Sequence, residues 1–227
     1  MNKTKIEWCD CTVNPVVGCP NGCKYCYGRV INNRFHYVKD WDCPEYRFKQ
    51  LKKLCVKNHK SVFIDSMSDI GCWKDEWFEE ILLAMHLNSQ HSYIALTKTN
   101  VAVLNKKIAA FNEKYECTVP LFVGKSITTQ AQVDALREDE CTDFLSVEPI
   151  LEPLDISKIL LSTRLIIIGA ETGNRKGKVI PQKEWIDSLV RQADEHNVRV
   201  FMKKSLRKIM GDDFRTDKLI WAIRGNQ

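Results

Sequence analysis

The sequence has no apolar stretch near the roughly 20 residues that a membrane-spanning helix needs. Its first residues, Met1-Asn2-Lys3-Thr4-Lys5-Ile6-Glu7-Trp8, contain no apolar run of the kind a signal peptide carries. No internal repeat or low-complexity segment stands out, which argues against a solenoid or a disordered tail. The five histidines (His36, His59, His86, His91, His196) show no metal-ligand spacing. Strong net charge is also lacking. A balance of +5 over 227 residues permits an acidic partner such as nucleic acid without requiring one. The expectation is a cytoplasmic protein with no membrane association, long enough to bury a sizeable core.

Cysteine, by contrast, is abundant. Ten residues of this type in a reducing compartment should not form disulfides. They must be metal ligands, reactive thiols or small buried apolar residues. Three of them, Cys19, Cys23 and Cys26, have the spacing C-x3-C-x2-C. Pro20, Asn21 and Gly22 make the first interval a tight loop, which can turn several thiolates toward one point. Closed zinc sites usually have four protein ligands, and closed [4Fe-4S] sites have four cysteines. Three leave one position open for a substrate or cofactor. Two alternatives stay open on the residues alone. One is a zinc site completed by Cys9, Cys11, Cys43 or a histidine; the other is a set of buried thiols with no metal. Cys43, Cys55, Cys72, Cys117 and Cys141 have no C-x2-C partners, and no role is assigned to Cys9 or Cys11.

After the cysteine loop, short apolar runs alternate with amphipathic stretches. Strands are expected at Ser61–Met67, Ser92–Thr97, Leu121–Ser126, Asp143–Val147, Leu165–Gly169 and Val198–Met202. Helices are expected at Asp75–Asn88, from Val101 to Tyr115 with Asn100 as cap, at Thr128–Arg137, near Ser157–Leu161 and at Gln182–His196. This is βα repetition, so the fold class is α/β with a mostly parallel sheet, open or closed into an incomplete barrel. Functional residues then belong at the carboxyl ends of the strands. Ser66, Met67, Ser68 and Asp69 lie after one strand, where a serine or Asx turn is the bland reading. Lys98 and Ser126 end two others. Glu148 and Glu171 end strands in apolar contexts, where a carboxylate needs a partner such as Lys98 or Lys203. Lys203, Lys204, Arg207 and Lys208, with Arg175, Lys176 and Lys178, could form a basic rim or an ordinary solvated face. Trp8, Trp41, Trp73 and Trp77 could stack bases or anchor the core.

The C-x3-C-x2-C spacing, with Tyr25 before the last cysteine and βα repeats after it, resembles the radical S-adenosylmethionine (SAM) enzymes. More closely, the chain resembles a phage and prokaryotic family of unassigned function within that superfamily. The landmarks are Ile6-Glu7-Trp8, Asn14-Pro15-Val16-Val17-Gly18-Cys19, Ser66-Met67-Ser68-Asp69, Leu96-Thr97-Lys98, Leu145-Ser146-Val147-Glu148-Pro149, Gly169-Ala170-Glu171-Thr172-Gly173 and Phe201-Met202-Lys203. The resemblance implies one radical-SAM domain over residues 1–227, folded as an incomplete parallel (βα)6-type barrel. Residues 1–30 would carry the cluster loop, 61–202 the βα repeats and 203–227 a C-terminal extension. It implies a [4Fe-4S] cluster on Cys19, Cys23 and Cys26, with SAM at the open iron. SAM would be contacted by Tyr25, Ser66, Met67, Ser68, Asp69, Lys98, Ser126 and Glu148. Reductive cleavage of SAM would give a 5′-deoxyadenosyl radical that abstracts hydrogen from a substrate. Glu148, Glu171 and Lys203 are the catalytic candidates. Expected partners are a flavodoxin- or ferredoxin-like electron donor, a nucleic-acid or nucleotide-like substrate, and a neighbouring partner protein. A cluster-bearing redox sensor without SAM turnover and a zinc-stabilised interaction module are the competing functions.

Overall fold

The structure is a computed structural model that describes residues 1–222. Two compact units divide the chain, the first covering Met1–Val123 and the second starting at Gly124. Residues 223–227, the end of the expected C-terminal extension, lie outside the described residues. Among the described residues no helix is long and apolar enough to cross a membrane.

The first unit begins with three two-residue strands: β1 (Asn2–Lys3), β2 (Cys11–Thr12) and β3 (Val16–Val17). Helix α1 (Tyr27–Phe35) follows the cysteine loop, and β4 (Glu45–Tyr46) pairs antiparallel with β3. Then come β5 (Ser61–Phe63), α2 (Asp75–His86), β6 (Ser92–Thr97) and α3 (Val101–Lys114). Strand β5 is parallel to β2 on one side and to β6 on the other, while β1 closes the edge antiparallel to β2. Helix α2 buries Phe78, Ile81, Leu82 and Met85, the i, i+3, i+4, i+7 stripe of an amphipathic helix. Asp75 and Glu76 in its first turn and His86 in its last agree with the helix dipole. In α3 the Asn100 side chain accepts from the Val103 amide, as the sequence predicts for a cap.

The division falls within β7 (Leu121–Ser126). The second unit continues with α4 (Gln130–Asp134), β8 (Phe144–Val147), α5 (Ser157–Leu160), β9 (Leu165–Ile168), α6 (Lys183–Glu195), β10 (Arg199–Met202) and α7 (Arg207–Met210). β7 pairs with β8, β8 with β9 and β9 with β10, all parallel. Every residue of β8 and β9 is buried, as expected for parallel strands covered on both faces. On one face, Leu145, Val147, Ile166 and Ile168 join Ile186, Leu189 and Ala193 of α6 in one apolar core. The mixed α/β character and the parallel strands match the sequence reading.

The register fixes what sits beyond the strands. Val147 is paired with Ile168, and Ile168 with Met202. Glu148, Gly169 and Lys203 therefore emerge side by side at one carboxyl edge. In the first unit Phe63 is paired with Ile94. The chain stays close for another turn, since the Ile64 amide donates to the Ile94 carbonyl. Asp65 is thereby carried to the backbone of Leu96.

Candidate functional site

The cysteine loop is anchored at its entry. The Gly18 amide donates to the Met67 carbonyl at 2.9 Å, and the Cys19 amide to the Trp41 carbonyl at 2.7 Å. Gly18 has φ +109°, and a Cβ there would lie 2.9 Å from the Pro44 backbone, so only glycine fits. The loop closes through a Cys26 amide bond to the Cys23 carbonyl. Cys26 then caps α1, its sulfur accepting from the Arg29 amide at 3.4 Å. Cys19 and Cys26 pack against Val17, Val38, Trp41 and Met67. Burial raises the Cys23 pKa, and the nearby Lys98 ammonium opposes that rise.

The Ser66–Asp69 loop sits beside this one and is bonded to it. Asn21, between the first two cysteines, donates to Asp69 Oδ2 at 2.6 Å. Asn14 Oδ1 accepts from the Ser66 hydroxyl at 2.9 Å and the Met67 amide at 3.2 Å. The Tyr27 hydroxyl donates to the Ser66 carbonyl, and Trp73 Nε1 donates to the Ser68 hydroxyl. Asp69 is almost wholly buried, yet it makes no ion pair among the described residues. Its carboxylate accepts from the Thr97 hydroxyl at 2.6 Å, the Gly71 amide at 2.9 Å, the Lys98 amide at 2.9 Å and Asn21. Asp69 thus caps the 3-10 turn Ile70–Cys72 and joins the strand-end loops after β5 and β6 to the cysteine loop. The Lys98 ammonium lies 5.8 Å from the centre of the Tyr25 ring, a cation–π distance. In the first unit the cysteine loop is thus tied to the Ser66–Asp69 loop through Asn21, Asp69 to the Lys98 amide, and Lys98 to the Tyr25 ring.

Three residues with no role in that reading belong here. Asn14 and Asn21 are the ties just described. Asp65 is fully buried, with Oδ2 3.1 Å from the Ile70 amide and 3.2 Å from that of Leu96. Burial pushes its pKa well above the carboxylate range, and the Asp69 charge adds to the effect. A fourth thiol, Cys72, donates to Asn21 Oδ1 at 3.6 Å and neighbours Cys19; their interaction raises the Cys19 pKa and lowers the Cys72 pKa. Burial pushes the Cys9 pKa up to about 12.

In the second unit, Ser126 is buried at the end of β7. Glu148 forms a close ion pair with Lys203, both mostly buried. Gly169 lies between them: a Cβ there would be 3.1 Å from Lys203 Cδ and 3.4 Å from Glu148 Cγ. Glu171, 4% exposed, is held by Arg175 through a two-pronged contact at 2.5 and 2.7 Å. That guanidinium keeps the Glu171 pKa below the usual value. The proposed basic rim is partly spoken for. Arg175 serves Glu171, Lys178 donates to the Gly173 carbonyl at 3.0 Å, and Arg207 lies 4.2 Å over the Phe214 ring. Trp8, Trp41 and Trp73 are core residues, and Trp77 stacks on Tyr46.

A family model described as "Protein of unknown function (DUF5131)" matches residues 3–212. The chain belongs to this family. No curated protein matches the DUF5131 chain. Among solved structures it is similar to a point mutant of spore photoproduct lyase, with a TM-score of 0.56 at 10% identity. That similarity covers 88% of this chain and 78% of the other, and at such identity it speaks for the fold.

By donor type, three cysteine thiols in one loop suit an iron–sulfur cluster. The Arg29 amide donates to the sulfur of Cys26, and the Lys98 ammonium lies near Cys23. The thiols themselves are not gathered: among the described residues no group of three or more His, Cys, Asp or Glu side chains is placed to hold a metal ion.

Proposed function

We propose that this protein is a radical SAM enzyme, with Cys19, Cys23 and Cys26 holding a [4Fe-4S] cluster and the parallel strands belonging to an incomplete (βα)6-type barrel. The observation that carries the reading is the hydrogen-bonded union of the cysteine loop with the Ser66–Asp69 loop through Asn14, Asn21 and Gly18. The likeness in fold to spore photoproduct lyase, a radical SAM enzyme, supports it. When bound, the cluster supplies the electron that splits SAM into methionine and a 5′-deoxyadenosyl radical.

The chain's own residues then have defined tasks. The Asp69 charge, met only by neutral donors, favours the cationic amino group of SAM beside Ser66, Met67 and Ser68. The Lys98 ammonium favours thiolate at Cys23 and attracts the SAM carboxylate. Tyr25 offers its backbone to the adenine. In the second unit Glu148, Glu171 and Lys203, at the carboxyl ends of its strands, are proposed as the catalytic candidates. A nucleobase-containing substrate and a flavodoxin- or ferredoxin-like donor complete the proposal.

Cys72 supports a second reading. A fourth thiol neighbouring Cys19 could close the site as a four-thiolate structural zinc centre. The two readings separate cleanly. Protein purified without oxygen, reconstituted with iron and sulfide, reduced and given SAM should release 5′-deoxyadenosine. Cys72→Ser should keep the cluster absorbance, whereas Cys23→Ala should abolish it. Zinc with no bound iron, lost in Cys72→Ser, sinks the cluster. Full iron absorbance with no 5′-deoxyadenosine under any reductant sinks the enzyme and leaves a redox sensor.

A further inference from the structure

Net charge is unevenly spread along this chain. Residues 47–60 (RFKQLKKLCVKNHK) hold six Lys and Arg and no Asp or Glu. The whole chain carries +5, so everything outside this segment sums to −1. The segment lies in the first unit, after β4 and before β5, and includes a 3-10 helix, Phe48–Leu54. In a 3-10 helix residues three apart are eclipsed. Phe48, Leu51 and Leu54 therefore form one ridge, and Lys49 and Lys52 stand on the next. The apolar ridge rises out of the core: Leu54 is fully buried, Leu51 half-buried and Phe48 54% exposed. Lys49, Lys52 and Lys57 are exposed and make no ion pair among the described residues. Beside them, the Arg47 guanidinium bonds the Tyr37 carbonyl, and Tyr37 stacks on Phe35 with ring centres 5.9 Å apart. Both rings are about half exposed, and Arg34 lies 5.1 Å over Phe35.

Unneutralised lysines interleaved with exposed aromatic rings form a particular kind of surface. The cations meet a phosphate backbone, and the rings offer a face on which unpaired bases stack. A duplex hides its base faces, and an anionic bilayer has none. The geometry points to a single-stranded nucleic acid as the partner of the Arg47–Lys60 surface, seated on Lys49, Lys52 and Lys57 with Phe48 as a stacking platform. This surface lies in the first unit and needs neither cluster nor SAM. It stands or falls independently of the radical SAM proposal.

Fluorescence anisotropy of the full chain with a labelled mixed-sequence 20-nucleotide strand tests it, in DNA and RNA forms, over a KCl series without SAM or reductant. Binding should weaken with salt, and K49E/K52E/K57E should weaken it by about tenfold or more at low salt. The same variant should reduce the slope of log affinity against log salt by about 2. Phe48→Ala should cost about fivefold or more on single strands and less than about twofold on a duplex of that sequence. The control K106E/R191E/K218E makes the same change in net charge elsewhere and should bind within about twofold of the parent. Equal losses in the two triple variants overturn the inference. So does absence of single-strand binding at 50 mM KCl, or retention on phosphatidylserine vesicles but not on oligonucleotides.

Discussion

The two units treat their buried carboxylates in opposite ways. In the first, Asp65 and Asp69 are satisfied by neutral donors: backbone amides, a threonine hydroxyl and an asparagine amide. In the second, the buried Glu140 and the partly buried Glu148 and Glu171 are each paired with a cation. Neutral donors hold a carboxylate in place but leave its charge uncancelled. A cation cancels the charge and can be exchanged for a competing ligand. The first arrangement suits a scaffold that fixes the loops beside the cysteines. The second suits side chains that can change partners when a ligand arrives.

The largest expected effect tests the scaffold. Asp69→Ala strands the Thr97 hydroxyl, the Gly71 and Lys98 amides and the Asn21 side chain at once. Leaving several buried donors without acceptors should cost about 3–5 kcal/mol, at the upper end for single substitutions. Urea unfolding would register this as a lower midpoint with an unchanged slope. Reconstituted iron should fall with it, because Asn21 loses its anchor. A loss under about 1 kcal/mol would show that the loops stand without Asp69.

A smaller effect is expected from Glu148 and Lys203. Removing one partner of a mostly buried pair leaves the other uncompensated, which should cost about 2 kcal/mol here because both side chains keep some solvent contact. Replacing both, as Glu148→Gln with Lys203→Met, should recover at least about half of that loss. A double-mutant cycle by urea unfolding measures it. If the double variant is as unstable as the sum of the singles, the pair is not a unit, and the contrast between exchangeable and fixed carboxylates fails on the exchangeable side.

Much of this contrast was hidden in the sequence. The cysteine spacing, the βα alternation and the polar residues at strand ends were all readable, because they depend on neighbours in the chain. Reading Ser61–Met67 as one buried strand obscured Asp65: the strand stops at Phe63, and Asp65 turns to meet Leu96 and Ile70. Cys72 has no cysteine nearby in sequence, and the fold alone sets it beside Cys19 and Asn21. The Glu148–Lys203 pair was among the partners expected, and strand register explains it. Arg175 as the partner of Glu171 was not, since it lies in an irregular loop where periodicity says nothing. The lysines of residues 47–60 were legible as letters, but their exposure around Phe48 was not.

The smallest effect gives the sharpest test, because the two carboxylate types must titrate in opposite senses. Burial raises the Asp65 pKa, whereas Arg175 lowers that of Glu171. For Asp65 the folded state holds its proton to higher pH than the unfolded chain. Its contribution to stability is therefore greatest below the unfolded pKa of about 4 and declines as pH rises toward the raised folded value. The stability of wild type relative to Asp65→Asn should fall as pH rises from about 4. For Glu171 the unfolded chain binds the proton more readily. Its contribution is complete above the unfolded pKa of about 4.3 and is lost as pH falls through the lowered folded value. The stability of wild type relative to Glu171→Gln should hold steady from about pH 7 to 5 and shrink below that. Urea midpoints of the three proteins across that range, at low and high salt, would show the two difference curves sloping in opposite directions. The Glu171 curve alone should flatten with salt, since Arg175 is one-third exposed and its attraction is screened. Parallel slopes would mean that both carboxylates share one kind of environment, and the division between scaffold and exchangeable site would not hold.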